Sequence, residues 1–133
     1  MPALNKEQIL AAQDIKIEKV NVPEWGEGAY VNVRSLSGLE RDAFEAGLVS
    51  FINGVAVPHI QQYRSRLCAI AICDDEGKRV FTDREIAEIG KKNGVVLDRI
   101  ADAASRLSGL DKDAIQKAAE DLKNAPPADL PSD

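Results

Sequence analysis

A strand pattern that runs directly into a helix start constrains this chain more than any single residue. Ile15 and Ile17 alternate with Lys16 and Glu18, and Val20 and Val22 continue the apolar positions on the opposite parity. A bulge near Lys19 reconciles the two parities and predicts one half-buried strand. Pro23 ends it, Gly26 and Gly28 free the loop, and alternation resumes from Tyr30 to Leu36 with Val31 and Val33 on one face. The pair reads as a two-stranded antiparallel hairpin with a loop of about six residues. Ser37-Gly38-Leu39-Glu40 follows at once as a capping box, in which the Ser hydroxyl takes the Glu40 amide and the Glu carboxylate returns to the Ser amide.

With 133 residues the chain fits one domain, able to bury roughly two-thirds of the surface its unfolded form exposes. Aromatics are only 5% of the residues, so core volume must be aliphatic, which favours helix packing over a large sandwich. The net charge of −5 argues against a nucleic-acid partner, because phosphate binding draws on clustered Lys and Arg. Cys68 and Cys73 are spaced unlike a redox pair or a zinc knuckle and read as buried thiols in a reducing, cytoplasmic setting. The N-terminus has no basic and apolar signal pattern, and no window approaches the roughly 20 apolar residues a membrane span needs.

Helix signals recur along the rest of the chain. Asn5 and Gln8 form a variant capping box for a short helix from Lys6 to about Ala12. Phe44, Leu48, Phe51 and Ile52 fall at i, i+4, i+7 and i+8 after the Ser37 start and predict one helix with a continuous apolar stripe over the hairpin. Asn53-Gly54 is a turn, and Pro58 opens a third helix whose Ile60, Tyr63, Leu67, Ile70 and Ala71 share a face. Residues 74–78 break that run, and Val80 and Phe81 form a brief extended piece. Thr82 and Glu85 make a further capping box, with Phe81 and Ile86 in the staple positions. Leu97, Ile100, Ala104 and Leu107 repeat at helical spacing up to Gly109, and Ile115, Ala118, Ala119 and Leu122 define a last helix. The fold class predicted is α+β: a mostly helical single domain over residues 1–124 with an N-terminal two-stranded antiparallel hairpin and about six helices. Residues 125–133 are a disordered Pro-rich tail.

No chemistry is announced. His59 is the sole histidine and no nucleophile motif accompanies it, so no catalytic residue is assigned. Asp74, Asp75 and Glu76 are adjacent, whereas a Ca²⁺ loop alternates its oxygens over about twelve residues, so no metal or cofactor is assigned. Residues 82–94 are superficially like a helix-turn-helix, but Gly90 follows Ala87 one position too early and the next helix carries Asp98 and Asp102 beside Arg99 and Arg106. What remains is a surface for another protein. Phe44, Leu48, Phe51, Ile52, Val55 and Val57 are the candidate partner-binding residues, with a groove expected between the Phe44 to Ile52 helix and the Val55 to Val57 segment.

The order Glu7-Gln8-Ile9-Leu10, then Val20-Asn21-Val22-Pro23-Glu24-Trp25-Gly26, then residues 31–45, resembles the tail assembly chaperones of long, non-contractile-tailed bacteriophages or prophages. Residues 67–83 and 97–110 are similar to the continuation in that family. The resemblance covers roughly residues 5 to 123 and rests on order and spacing. It implies a non-enzymatic protein that binds the tape measure protein, keeps it soluble and helps recruit tail tube subunits. It also implies action in the host bacterial cytoplasm, absence from the mature virion, a tendency to self-association and, in many members, a longer frameshifted product. A small DNA-binding regulator and a structural minor tail or head-tail protein of the virion stay open beside it.

Overall fold

The computed structural model describes residues 2–58 and 62–110. In chain order its elements are α1 (Lys6–Ala11), β1 (Ile17–Asn21), β2 (Tyr30–Arg34), α2 (Gly38–Ala46), β3 (Val49–Ile52), β4 (Val55–Pro58), α3 (Tyr63–Ala71), β5 (Ile72–Cys73), α4 (Ile86–Ile89) and α5 (Gly94–Ser108). The class is α+β, but the N-terminal hairpin is larger than expected. β1 and β2 pair antiparallel, and β5 adds to β2 through Asn32 opposite Cys73 and Val33 opposite Ile72, giving the order β1-β2-β5.

The register from Ile17 opposite Arg34 to Asn21 opposite Tyr30 is unbroken, so the bulge expected near Lys19 is not formed. Residues opposite one another share a face, which puts Glu18, Val20, Val31 and Val33 on one side. Val20 and Val33 are buried there, together with Val22 beyond the strand. Ile15 and Ile17 have the other parity and stay 42% and 46% exposed. Local alternation offered two parities; the one that meets the helices is the one buried.

α5 packs against both β1 and β2 and against α3. Its Val96, Leu97, Ile100, Ala101 and Ala104 are buried, a stripe at helical spacing that meets Val33 and Leu67 in one core cluster. α3 is buried nearly all round, at Ser65, Leu67, Cys68, Ala69 and Ala71, and is the central helix. The local signals set its neighbours. The Asn5, Ser37 and Thr82 capping boxes all form, the last opening a 3₁₀ turn that runs into α4. Gly109, at φ 72°, ends α5 in the left-handed conformation that glycine adopts without strain.

Three expectations are corrected here. The helix beginning after Ser37 ends at Ala46 instead of reaching Ile52, because residues 49–58 form a second hairpin, β3–β4. Pro58 pairs with Val49 at the end of β4 instead of opening α3. Ile72 and Cys73 leave the helix as a strand, since pairing with β2 satisfies their backbone groups in the core. Among the described residues there are five α-helices; about six were expected for the chain, one of them over Ile115 to Leu122. His59, Ile60, the expected helix over Ile115 to Leu122 and the tail lie outside the described residues.

Candidate functional site

The β3–β4 hairpin is built by its turn. Asn53 and Gly54 both have positive φ, 54° and 80°, the type I′ geometry that matches the twist of paired strands. β-branched Val49, Ile52, Val55 and Val57 suit the flanking strands. Phe51 stands opposite Ala56 and Ile52 opposite Val55. Successive strand residues point to opposite faces, so Phe51, 69% exposed, and Ile52, 58% exposed, present apolar surface on both sides. Val55 is 50% exposed and Val57 is half-buried.

The six candidate residues therefore divide. Phe44 and Leu48 belong to the core, whereas Phe51, Ile52 and Val55 are at the surface. The expected groove is not formed, because its helical wall ends at Ala46. The base of the hairpin is pinned to α3. Arg66 donates from Nη1 to the Gly47 carbonyl at 2.8 Å, and its guanidinium lies 6.0 Å from the Phe44 ring centroid. A Cβ on Gly47 would fall 2.6 Å from that Nη1, so glycine lets the arginine approach. Burial lowers the Arg66 pKa. Sequence reasoning missed one available signal: from Ala46 through Tyr63 the chain has no Asp, Glu, Lys or Arg. In a chain with 29% charged residues, such a run marks a surface relieved of the charges that normally keep strand edges apart.

A second uncovered apolar surface is α1. None of its residues is buried, and Leu4, Ile9 and Leu10 are 62%, 57% and 75% exposed. Its capping box closes locally, with Asn5 and Gln8 exchanging bonds of 2.9 Å.

Elsewhere the polar groups are tied into structure. Burial, with a smaller push from Asp98, raises the Cys68 thiol to about 12, and burial raises Cys73 as well, so neither is a ready thiolate. Among the described residues no group of three or more His, Cys, Asp or Glu is placed to hold a metal, and no helix is long and apolar enough to cross a membrane. Asp74 Oδ1 accepts from the N–H groups of Glu76 and Lys78, which shapes the turn. On α5, Arg99 holds both oxygens of Glu24 at 2.8 and 2.7 Å, and Arg106 holds both of Glu18. The Arg99 bonds bring the Glu24 carboxyl down to about 2. These pairs clamp α5 to the β1–β2 ribbon, so α5 is a core helix whose arginines are engaged, unlike a helix that reads a DNA groove.

Comparison with known proteins agrees with this architecture. Residues 5–124 match the model of a family described as phage tail assembly chaperone. Among solved structures the chain is similar to the bacteriophage HK97 tail assembly chaperone, with a TM-score of 0.54 and 22% identity over 80% of this chain and 95% of that one. At that identity the likeness concerns the fold. No curated protein matches.

Proposed function

Because the chain belongs to the phage tail assembly chaperone family, we propose that it binds the tape measure protein of its phage, keeps it soluble and helps recruit tail tube subunits around it. It acts without catalysis, in the host cytoplasm, and leaves before the virion is complete. The observation that carries this reading is the β3–β4 hairpin. A long tape measure helix exposes repeated apolar stripes until the tube surrounds it. Phe51, Ile52 and Val55 offer an apolar, charge-free surface to cover them, while Phe44 and Leu48, just before β3 in the chain, are in the core. The net charge of −5 keeps the covered complex from aggregating. The uncovered α1 supplies apolar surface for self-association.

The test is co-expression with the long helical protein encoded immediately downstream, followed by size-exclusion chromatography with light scattering. Co-elution with rescue of the partner's solubility is expected, and Phe51→Asp with Ile52→Asp should abolish both while circular dichroism stays unchanged. Retention by that folded variant would remove the hairpin from the reading. A partner that stays insoluble beside the wild-type chain would remove the reading itself. Isolated virions should lack this chain by mass spectrometry; finding it there would make it a structural tail component.

A further inference from the structure

We propose that this protein has a second docking surface, remote in sequence from the β3–β4 hairpin: a groove of about 510 Å³ on the β1-β2-β5 sheet, fitted to a protein segment that carries Lys or Arg beside large apolar side chains.

Three of the chain's six aromatic side chains, Trp25, Tyr30 and Phe81, line this one groove. Packing alone does not explain them, since Trp25 remains 37% exposed, Tyr30 45% and the neighbouring Val80 53%. Partly exposed Trp and Tyr gathered in a concavity are the residues from which protein partners draw most of their binding energy. One face of two of these rings is already taken by a cation of the same chain, Lys19 Nζ at 4.7 Å from the Tyr30 centroid and Lys92 Nζ at 5.9 Å from that of Trp25. Such contacts hold the rings in place at little entropic cost to a ligand.

The groove also has a charged wall. Asp75 Oδ1 accepts from Asn32 Nδ2 at 2.8 Å, and Asp74 Oδ1 accepts from the Glu76 and Lys78 amides at 2.8 and 3.0 Å. Each carboxylate is thereby fixed through one oxygen. Glu18, Glu24, Glu40 and Asp98 each have an arginine, whereas neither Asp74 nor Asp75 forms an ion pair among the described residues. The Lys78 amide and, less, its charge stabilise the Asp74 carboxylate, but no Lys or Arg is among the lining residues, and two fixed carboxylates beside aromatic rings complement a cationic side chain flanked by apolar ones. None of the lining residues belongs to α2, β3 or β4, so this surface stands independently of the hairpin reading.

Trp25 is the only tryptophan and reports on the groove directly. The experiment titrates the full chain with a short amphipathic Leu/Lys peptide, then with its Leu/Glu counterpart, and follows Trp25 emission. A saturable shift with the Leu/Lys peptide alone is expected. The double variant Asp74→Asn, Asp75→Asn keeps the accepting oxygens of the turn and should weaken that binding about tenfold. A control of equal charge change at exposed positions, Asp14→Asn with Asp42→Asn, should leave it unchanged, as should Phe51→Asp. No saturable shift, a response to both peptides, or equal weakening in the control would overturn the proposal. A hairpin that fails to bind the tape measure protein would not affect these outcomes.

Discussion

The chain makes two antiparallel hairpins and treats them differently. β1–β2 buries Val20 and Val33 on one face, leaves Ile17 and Tyr30 on the other 46% and 45% exposed, and has Glu18 and Lys19 among its side chains; α5 covers the valine face and β5 extends the ribbon. β3–β4 has apolar residues on both faces, no charge on either strand and no third strand among the described residues. A lone two-stranded hairpin is marginal in water, and uncharged edges invite pairing. The valines under α5 stabilise the fold by burial, whereas Phe51 and Ile52 leave apolar surface at solvent on both faces of β3–β4.

The sharpest break of that contrast would come from the body. Leu67 and Ile100 are both 0% exposed. Leu67→Ala or Ile100→Ala should each cost about 3 kcal/mol of stability, measured by chemical denaturation, through lost burial and the cavity left behind. A cost below about 1 kcal/mol would mean that the α3–α5 layer is not the core it forms here. The next effect concerns the tie between the β1–β2 ribbon and the helices. Arg34, with its side chain only 10% exposed, donates to both oxygens of Glu40 and to the Ile70 carbonyl at 3.2 Å, joining β2, α2 and α3. Glu40→Ala leaves that guanidinium buried without its counter-charge, and a loss of about 2 kcal/mol is expected.

The same pair sets a pH dependence. Burial raises the Glu40 carboxyl, but the hydrogen bonds from Arg34 and Ser37 outweigh it and leave the pKa below the ordinary 4.5. A depressed carboxylate contributes stability above its unfolded pKa and loses it as pH falls through the folded value. Between about pH 5 and pH 3, wild type should therefore lose more stability than Glu40→Gln. Equal losses in urea titrations at both pH values would detach the pair from folding.

How much of this was legible in the sequence follows from how local each signal is. The capping boxes at Asn5, Ser37 and Thr82 need only four consecutive residues, and all three form. The strand parity of residues 15–22 was ambiguous because alternation does not say which face meets the core; α5, some eighty residues on, decides it. β5 is two apolar residues in line with a helical run, and only Asn32 and Val33, far away in sequence, make it a strand. The apolar run that holds the candidate residues was legible, but its division between core and exposed hairpin was not. Phe44, Leu48, Phe51 and Ile52 fit a helical period by spacing alone, and a type I′ Asn-Gly turn takes the last two away from the core. The groove at Trp25, Tyr30 and Phe81 gathers residues from separate loops and a strand and has no sequence pattern at all.

Smaller effects belong to the second hairpin. Gly54, at φ 80°, closes its turn, and Gly54→Ala should cost about 1 kcal/mol there. Hydrogen exchange should quicken at the amides of residues 49–57 and stay unchanged at Leu67 and Ile100. Protection lost equally in both places would make the two hairpins one cooperative unit and dissolve the contrast between them.

The smallest expected stability change is the most discriminating. Phe51 and Ile52 are large apolar residues, and in a core either one truncated would cost several kcal/mol. At 69% and 58% exposure they contribute little burial to the isolated chain. Phe51→Ser and Ile52→Ser should each shift the denaturation midpoint by no more than about 0.5 kcal/mol of stability, while removing co-elution with the tape measure protein. A large loss of stability would show that these side chains are buried within this chain in solution, and the hairpin would then join β1–β2 as part of the body. Unchanged stability with binding lost would leave the two hairpins as they stand, one holding the fold and the other left open for a partner.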